Sequence, residues 1–175
     1  MTVKDHMVPL HEYTTVSEDA SLYDAIKAME RAMIRPVADK GPRPHDRAVL
    51  VLADDGRVLG KLSMWDMLHG IEPRYALPVE PLVMIDEIFT WTHAMFINLA
   101  ARAKAVKAKE LLHEHFVDET IEASAPLDQA VHQLVQDRLM SLVVTHEGKV
   151  VGILRLSDVF IKVGQMMEAA SAASG

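Results

Sequence analysis

AVLVLADDGRVLGKLSMWDML, from Ala48 to Leu68, and MSLVVTHEGKVVGILRLSDVF, from Met140 to Phe160, are two copies of one pattern. Each opens with an apolar run rich in β-branched residues, Val49 to Ala53 and Leu142 to Thr145. A turn signal follows, Asp54-Asp55-Gly56 in one and His146-Glu147-Gly148 in the other. A second short apolar strand comes next, so each stretch predicts a hairpin running into a helix.

The upstream segments repeat as well. ASLYDAIKAMERA (Ala20 to Ala32) resembles APLDQAVHQLVQD (Ala125 to Asp137). Leu22, Ala25, Ile26 and Met29 fall at helical spacing, as do Leu127, Ala130, Val131 and Leu134, predicting one amphipathic helix per half. Short extended segments, TTVSEDA and ETIEASA, precede these helices, and VKDHM at Val3 to Met7 resembles AKELL at Ala108 to Leu112. Each half therefore reads β-α-β-β-α. The helices are offset by 105 residues and the hairpins by 92, which leaves about 13 extra residues in the first half. They fall at 34–47, where Pro, Gly and charge predict a surface loop.

The expected organisation is a first repeat over 1–72, a linker over 73–104, a second repeat over 105–165 and a flexible tail over 166–175. Pro73, Pro78 and Pro81 keep the start of the linker non-helical, and Ile85, Ile88, Phe89, Phe96 and Leu99 predict an amphipathic helix after Leu82. Asp86, Glu87 and His93 interrupt that apolar stretch, which reads as a buried or partner-facing helix rather than a membrane span.

With half its residues hydrophobic and a quarter charged, the 175-residue chain has ordinary globular composition. It has no cysteine, which excludes disulfides, thiolate metal sites and cysteine nucleophiles. The formal charge of −7 argues against nucleic-acid binding. The first residues show no signal peptide, and a cytoplasmic location is expected. His113-Glu114-His115 reads as a solvated or partner-facing group, since His-x-His chelates a metal only on extended backbone. There is no Gly-x-Ser-x-Gly elbow and no Walker loop, so no catalytic residue is assigned.

The two hairpins end in Gly60-Lys61-Leu62-Ser63-Met64-Trp65-Asp66 and Gly152-Ile153-Leu154-Arg155-Leu156-Ser157-Asp158. With their upstream helices, these resemble the cystathionine β-synthase (CBS) domain. The family signature is a glycine, a short strand, a Ser or Thr, two residues, then an Asp opening the last helix. The resemblance covers about residues 1 to 70 and 105 to 165. It implies an α/β fold of two CBS repeats packed about a pseudo-two-fold axis, with two clefts between them. It also implies a regulatory module that binds AMP, ADP or ATP and requires no cofactor, is not an enzyme, and forms a homodimer or acts on an effector protein. The alternative is a ligand-free interaction module that uses the linker helix.

In such a module the strand-to-helix junction offers free backbone N–H groups and the positive helix end to a phosphate. The resemblance assigns Ser63 to phosphate, Asp66 to ribose in one site, and Asp158 to ribose in the other. The adenine positions it implies are Thr15 and Val16 with Leu50, and Thr120 and Ile121 with Leu142. Ser63-x-x-Asp66 is also close to a capping box, which stabilises a helix start without any ligand. Arg155 replaces the expected hydroxyl. Two readings stand for it: a charge-assisted phosphate contact, or a solvated residue marking an empty site.

Overall fold

The structure is a computed structural model and describes residues 1–34, 46–72, 96–113 and 116–173. The first half contains β1 (Val8–Pro9), β2 (Thr15–Ser17), α1 (Leu22–Ile34), β3 (Ala48–Leu52), β4 (Val58–Ser63) and α2 (Met64–Ile71). After α3 (Leu99–Ala105) come β5 (Thr120–Glu122), α4 (Leu127–Gln136), β6 (Ser141–His146), β7 (Lys149–Arg155) and α5 (Leu156–Ala173). The mixed α/β class and the repeated β-α-β-β-α order hold. Most of the predicted linker helix and of the 34–47 loop lies outside the described residues.

Each half is built by the same two connections. A helix carries the chain from β2 to the parallel β3, and likewise from β5 to the parallel β6. A hairpin then adds the antiparallel β4 or β7. Leu22, Ala25 and Met29 of α1 are buried, as are Leu127, Ala130 and Leu134 of α4. One stripe on each helix therefore covers its sheet. Glu147 and Gly148 both have positive φ, 50° and 75°, which is the geometry a two-residue hairpin turn requires.

Pairing corrects the hairpin offset. Thr15 lies opposite Leu50, but Thr120 lies opposite Val143 rather than Leu142. The glycines Gly60 and Gly152 pair with Val51 and Val144. The first strands are thus offset by 93 and the second strands by 92, because the first turn holds one residue more.

The leading segments are exchanged between the halves. The Val3 N–H donates to the Ala125 carbonyl at 2.9 Å, and the Ala108 N–H donates to the Ala20 carbonyl at 2.9 Å. Both donors and both acceptors are 105 residues apart, so one contact is made twice. β1 continues the exchange by pairing with β7, giving a four-stranded sheet β1-β7-β6-β5 beside a three-stranded sheet β2-β3-β4. Val3 accordingly sits in the core of the second half, and Ala108 in that of the first. A third cluster joins Leu50 to Val8, Tyr13, Val143 and Ile153, packing the halves together.

Residues 166–173, expected as part of a flexible tail, form the last turns of α5. Met166, Met167, Ala169 and Ala170 favour helix, and no proline stops it.

Candidate functional site

β4 ends in Ser63 as α2 begins, and the signature residues Ser63 and Asp66 form a reciprocal cap there. The Ser63 Oγ accepts the Asp66 N–H at 3.3 Å, while Asp66 Oδ2 accepts the N–H and the hydroxyl of Ser63, both at 2.7 Å. The other carboxylate oxygen, Oδ1, lies 2.6 Å from His113 Nε2. Burial alone would raise the Asp66 carboxyl, but the hydrogen bonds from Ser63 and His113 outweigh it and hold the group below its ordinary range. Asp66 is therefore a fixed, charged acceptor at a helix start.

The second motif is built differently. Arg155 ends β7 with no hydroxyl to cap α5, and its guanidinium reaches Asp158 through two bonds. Nε donates to Oδ2 at 2.6 Å and Nη2 to Oδ1 at 2.9 Å. Nη1 crosses to the first half and donates to Asp46 Oδ1 at 2.8 Å, and Asp46 Oδ2 accepts from the Thr14 hydroxyl at 3.1 Å. Arg155 is buried, at 7% exposure, so it is not a solvated surface residue. Burial opposes its charge, but Asp158 and Asp46 more than restore it and raise the guanidinium further.

A second polar bridge joins the halves from the other side. Lys61 of β4 forms an ion pair with Glu119 and donates to the Ser141 carbonyl at 3.0 Å and hydroxyl at 3.2 Å. Its ammonium is thus held within the second half. Nearby, burial and the charge of Asp46 push the Tyr13 hydroxyl up, keeping it neutral.

These groups surround a cavity of about 700 Å³, within the size range of small-ligand sites. Ser63, Asp66 and Arg155 all line it, so the ends of both motifs meet in one space. Met64, Trp65, Leu156 and Phe160 supply apolar wall, and Arg47 and Arg138 stand in the lining with them. Asp158 does not line the cavity; it is engaged by Arg155.

The six residues expected near adenine, Thr15, Val16, Leu50, Thr120, Ile121 and Leu142, are not in this lining either. They pair along β2–β3 or lie in β5 and β6, with Leu50 and Leu142 at 0% exposure. Sequence reasoning missed Lys61, Glu119, Asp46, Arg47 and Arg138, and it treated His113 only as part of a histidine cluster. Lys61 alone carried a signal, as a lysine within the first signature where an apolar residue stands in the second. Among the described residues no group of three or more His, Asp or Glu is placed to hold a metal ion.

Comparison with known proteins gives a consistent result. The family model for the CBS domain matches residues 3–73 and 108–164. Among solved structures, the fold is similar to that of CBSX2 in complex with AMP, with a TM-score of 0.63 and 19% identity over 94% of this chain and 97% of that one. A CBS domain-containing protein of unknown function from Bacillus anthracis gives a TM-score of 0.64 and 15% identity, covering 94% of each chain. An uncharacterised conserved protein from Pyrococcus horikoshii gives 0.60 and 18% identity, over 93% of this chain and 91% of that one. No curated protein matches the chain.

Proposed function

The chain belongs to the CBS domain family, and from that premise we propose that it is a regulatory module binding AMP, ADP or ATP where its two motifs meet. The observation that carries this reading is the shared cavity, with Ser63 and Asp66 from one half and Arg155 from the other in its lining. The AMP complex of the structural neighbour CBSX2 supports the ligand class.

In this reading the opening of α2 receives phosphate through backbone N–H groups and the Ser63 hydroxyl. Asp66 accepts from a ribose diol at Oδ1, the oxygen now facing His113. Arg155 offers a guanidinium to phosphate if Asp46 yields its place. The Asp158 site is the weaker of the two, because its carboxylate is already bound twice by Arg155. Adenine contacts through the side chains of Leu50 and Leu142 require a shift, since both are fully buried, whereas Thr15, Val16 and Thr120 are half-buried on the edge strands β2 and β5.

Transmission follows from the bridges. A ligand that competes for Lys61 or Arg155 weakens the Lys61–Glu119 or Arg155–Asp46 tie. Its differential affinity then shifts the placement of the two halves, or the face offered to a second copy or an effector protein. No catalytic step is proposed. Among the described residues no helix is long and apolar enough to cross a membrane.

A second reading is an interaction or dimerisation module that binds no ligand. It is favoured by Trp65 and Phe160, 79% and 77% exposed on α2 and α5. A thermal-shift panel of AMP, ADP, ATP, NAD and S-adenosylmethionine separates the two, because a ligand of the native state must stabilise it. A concentration-dependent rise with an adenine nucleotide supports the sensor. No shift with any of them at millimolar concentration supports the interaction module.

A further inference from the structure

The cavity lining includes four cationic side chains, Arg47, Lys61, Arg138 and Arg155. Two of them are committed: Lys61 to Glu119 and Ser141, and Arg155 to Asp158 and Asp46. Both carboxylates in the lining are engaged too, Glu119 with Lys61 and Asp66 with Ser63 and His113. The guanidiniums of Arg47 and Arg138 make no hydrogen bond or ion pair among the described residues.

These two arginines come from opposite halves, and each is fixed beside its own motif. Arg47 precedes Ala48, which pairs with Ser63, and the Arg47 carbonyl accepts the Met64 N–H at 3.3 Å where α2 opens. Arg138 lies three residues before Ser141, which pairs with Arg155. Its backbone has φ of 52°, in the left-handed turn that closes α4, with the Leu139 N–H bonded to the Leu134 carbonyl at 3.0 Å. That position favours glycine or asparagine on conformational grounds, and arginine holds it here.

We infer that Arg47 and Arg138 form a two-sided clamp for an anion with more than one charged group, which makes a nucleoside di- or triphosphate, rather than a monophosphate, the preferred ligand of the cavity. Guanidinium pairs phosphate oxygens in charge-assisted and bidentate bonds. A single phosphate seated at Ser63 carries one charged group, whereas a longer chain of phosphates adds charged oxygens for the two arginines of the same lining to pair. The inference rests on the nucleotide reading for the identity of the ligand, and on the cavity alone for its charge.

The test uses calorimetry and thermal shift with adenosine, AMP, ATP and inorganic tripolyphosphate on the wild type and on the double variant Arg47→Gln, Arg138→Asn. Asparagine keeps the left-handed turn and both sites are exposed, so the variant is expected to fold. ATP should bind the wild type roughly tenfold or more tightly than AMP, and the double variant should bring the two within about threefold while leaving adenosine unchanged. Equal affinity of the wild type for AMP and ATP overturns the clamp, as does unchanged ATP affinity in the variant or an equal loss of AMP and ATP. If adenosine, AMP and ATP all fail to bind, the nucleotide reading falls and tripolyphosphate decides the clamp separately. Stabilisation of the wild type but not of the double variant upholds it, and stabilisation of neither or both ends it.

Discussion

Arg155 on β7 donates to Asp46 Oδ1 at 2.8 Å across 109 residues of sequence, tying the motif of the second half to the segment that leads into β3 of the first. Both side chains are largely buried, and the same guanidinium holds Asp158. Removing one member of such a set leaves uncompensated buried charge. Arg155→Ala is therefore expected to cost about 3 kcal/mol or more of stability, read from urea unfolding. Asp46→Asn keeps a hydrogen-bond acceptor for the arginine and should cost less. A loss below about 1 kcal/mol for Arg155→Ala would show that the pair is not buried as described.

The exchanged leading segments predict an effect at a distance. Val3 belongs by sequence to the first half but packs in the core of the second, with its N–H on Ala125. Val3→Asp should reduce hydrogen-exchange protection in β5, β6 and β7 more than in β3 and β4. The opposite order would mean that the leading segment docks on its own half.

The two signature glycines are not equivalent. A Cβ at Gly152 would overlap the carbonyl oxygen of Val8, which is fixed in β1. At Gly60 it would meet Leu112 Cδ2 at 2.7 Å, the far end of a flexible side chain. Gly152→Ala is expected to destabilise by about 2 kcal/mol and Gly60→Ala by less, with thermal unfolding as the readout. Equal costs would place β1 elsewhere.

Asp66 gives a pH prediction. Its carboxyl would be raised by burial, but the bonds from Ser63 and His113 hold it below the ordinary 3.8. A depressed acid contributes stability that is present in full above its unfolded value and fades as pH falls through the folded one. In Asp66→Asn the decline of stability below about pH 4 should therefore be shallower than in the wild type, besides a loss at neutral pH from the weakened cap. Parallel pH profiles would indicate that the carboxylate is not held as described.

The repeat was legible because it is written in core residues. Leu22, Ala25 and Met29 match Leu127, Ala130 and Leu134, and burial constrains them all. The strand register was less legible, since Leu142 and Val143 are both apolar and both buried, so one extra residue in the first turn left no mark in the pattern. The exchange of leading segments was hidden for another reason. VKDHM and AKELL present the same pattern to either half, and nothing local says which sheet receives them. Ser63 and Asp66 were found through a continuous heptapeptide. The partners that complete the site, Asp46 for Arg155, Glu119 for Lys61 and His113 for Asp66, lie 47 or more residues away and emerge only on folding.

Titration calorimetry of AMP, ADP and ATP into the wild type and into Asp66→Asn decides whether the Ser63/Asp66 end of the cavity binds nucleotide. Saturable binding of at least one of these nucleotides by the wild type is expected, with a loss of roughly tenfold or more in affinity in the variant. Absence of binding heat for all three at millimolar concentration, or equal affinity in wild type and variant, would contradict it.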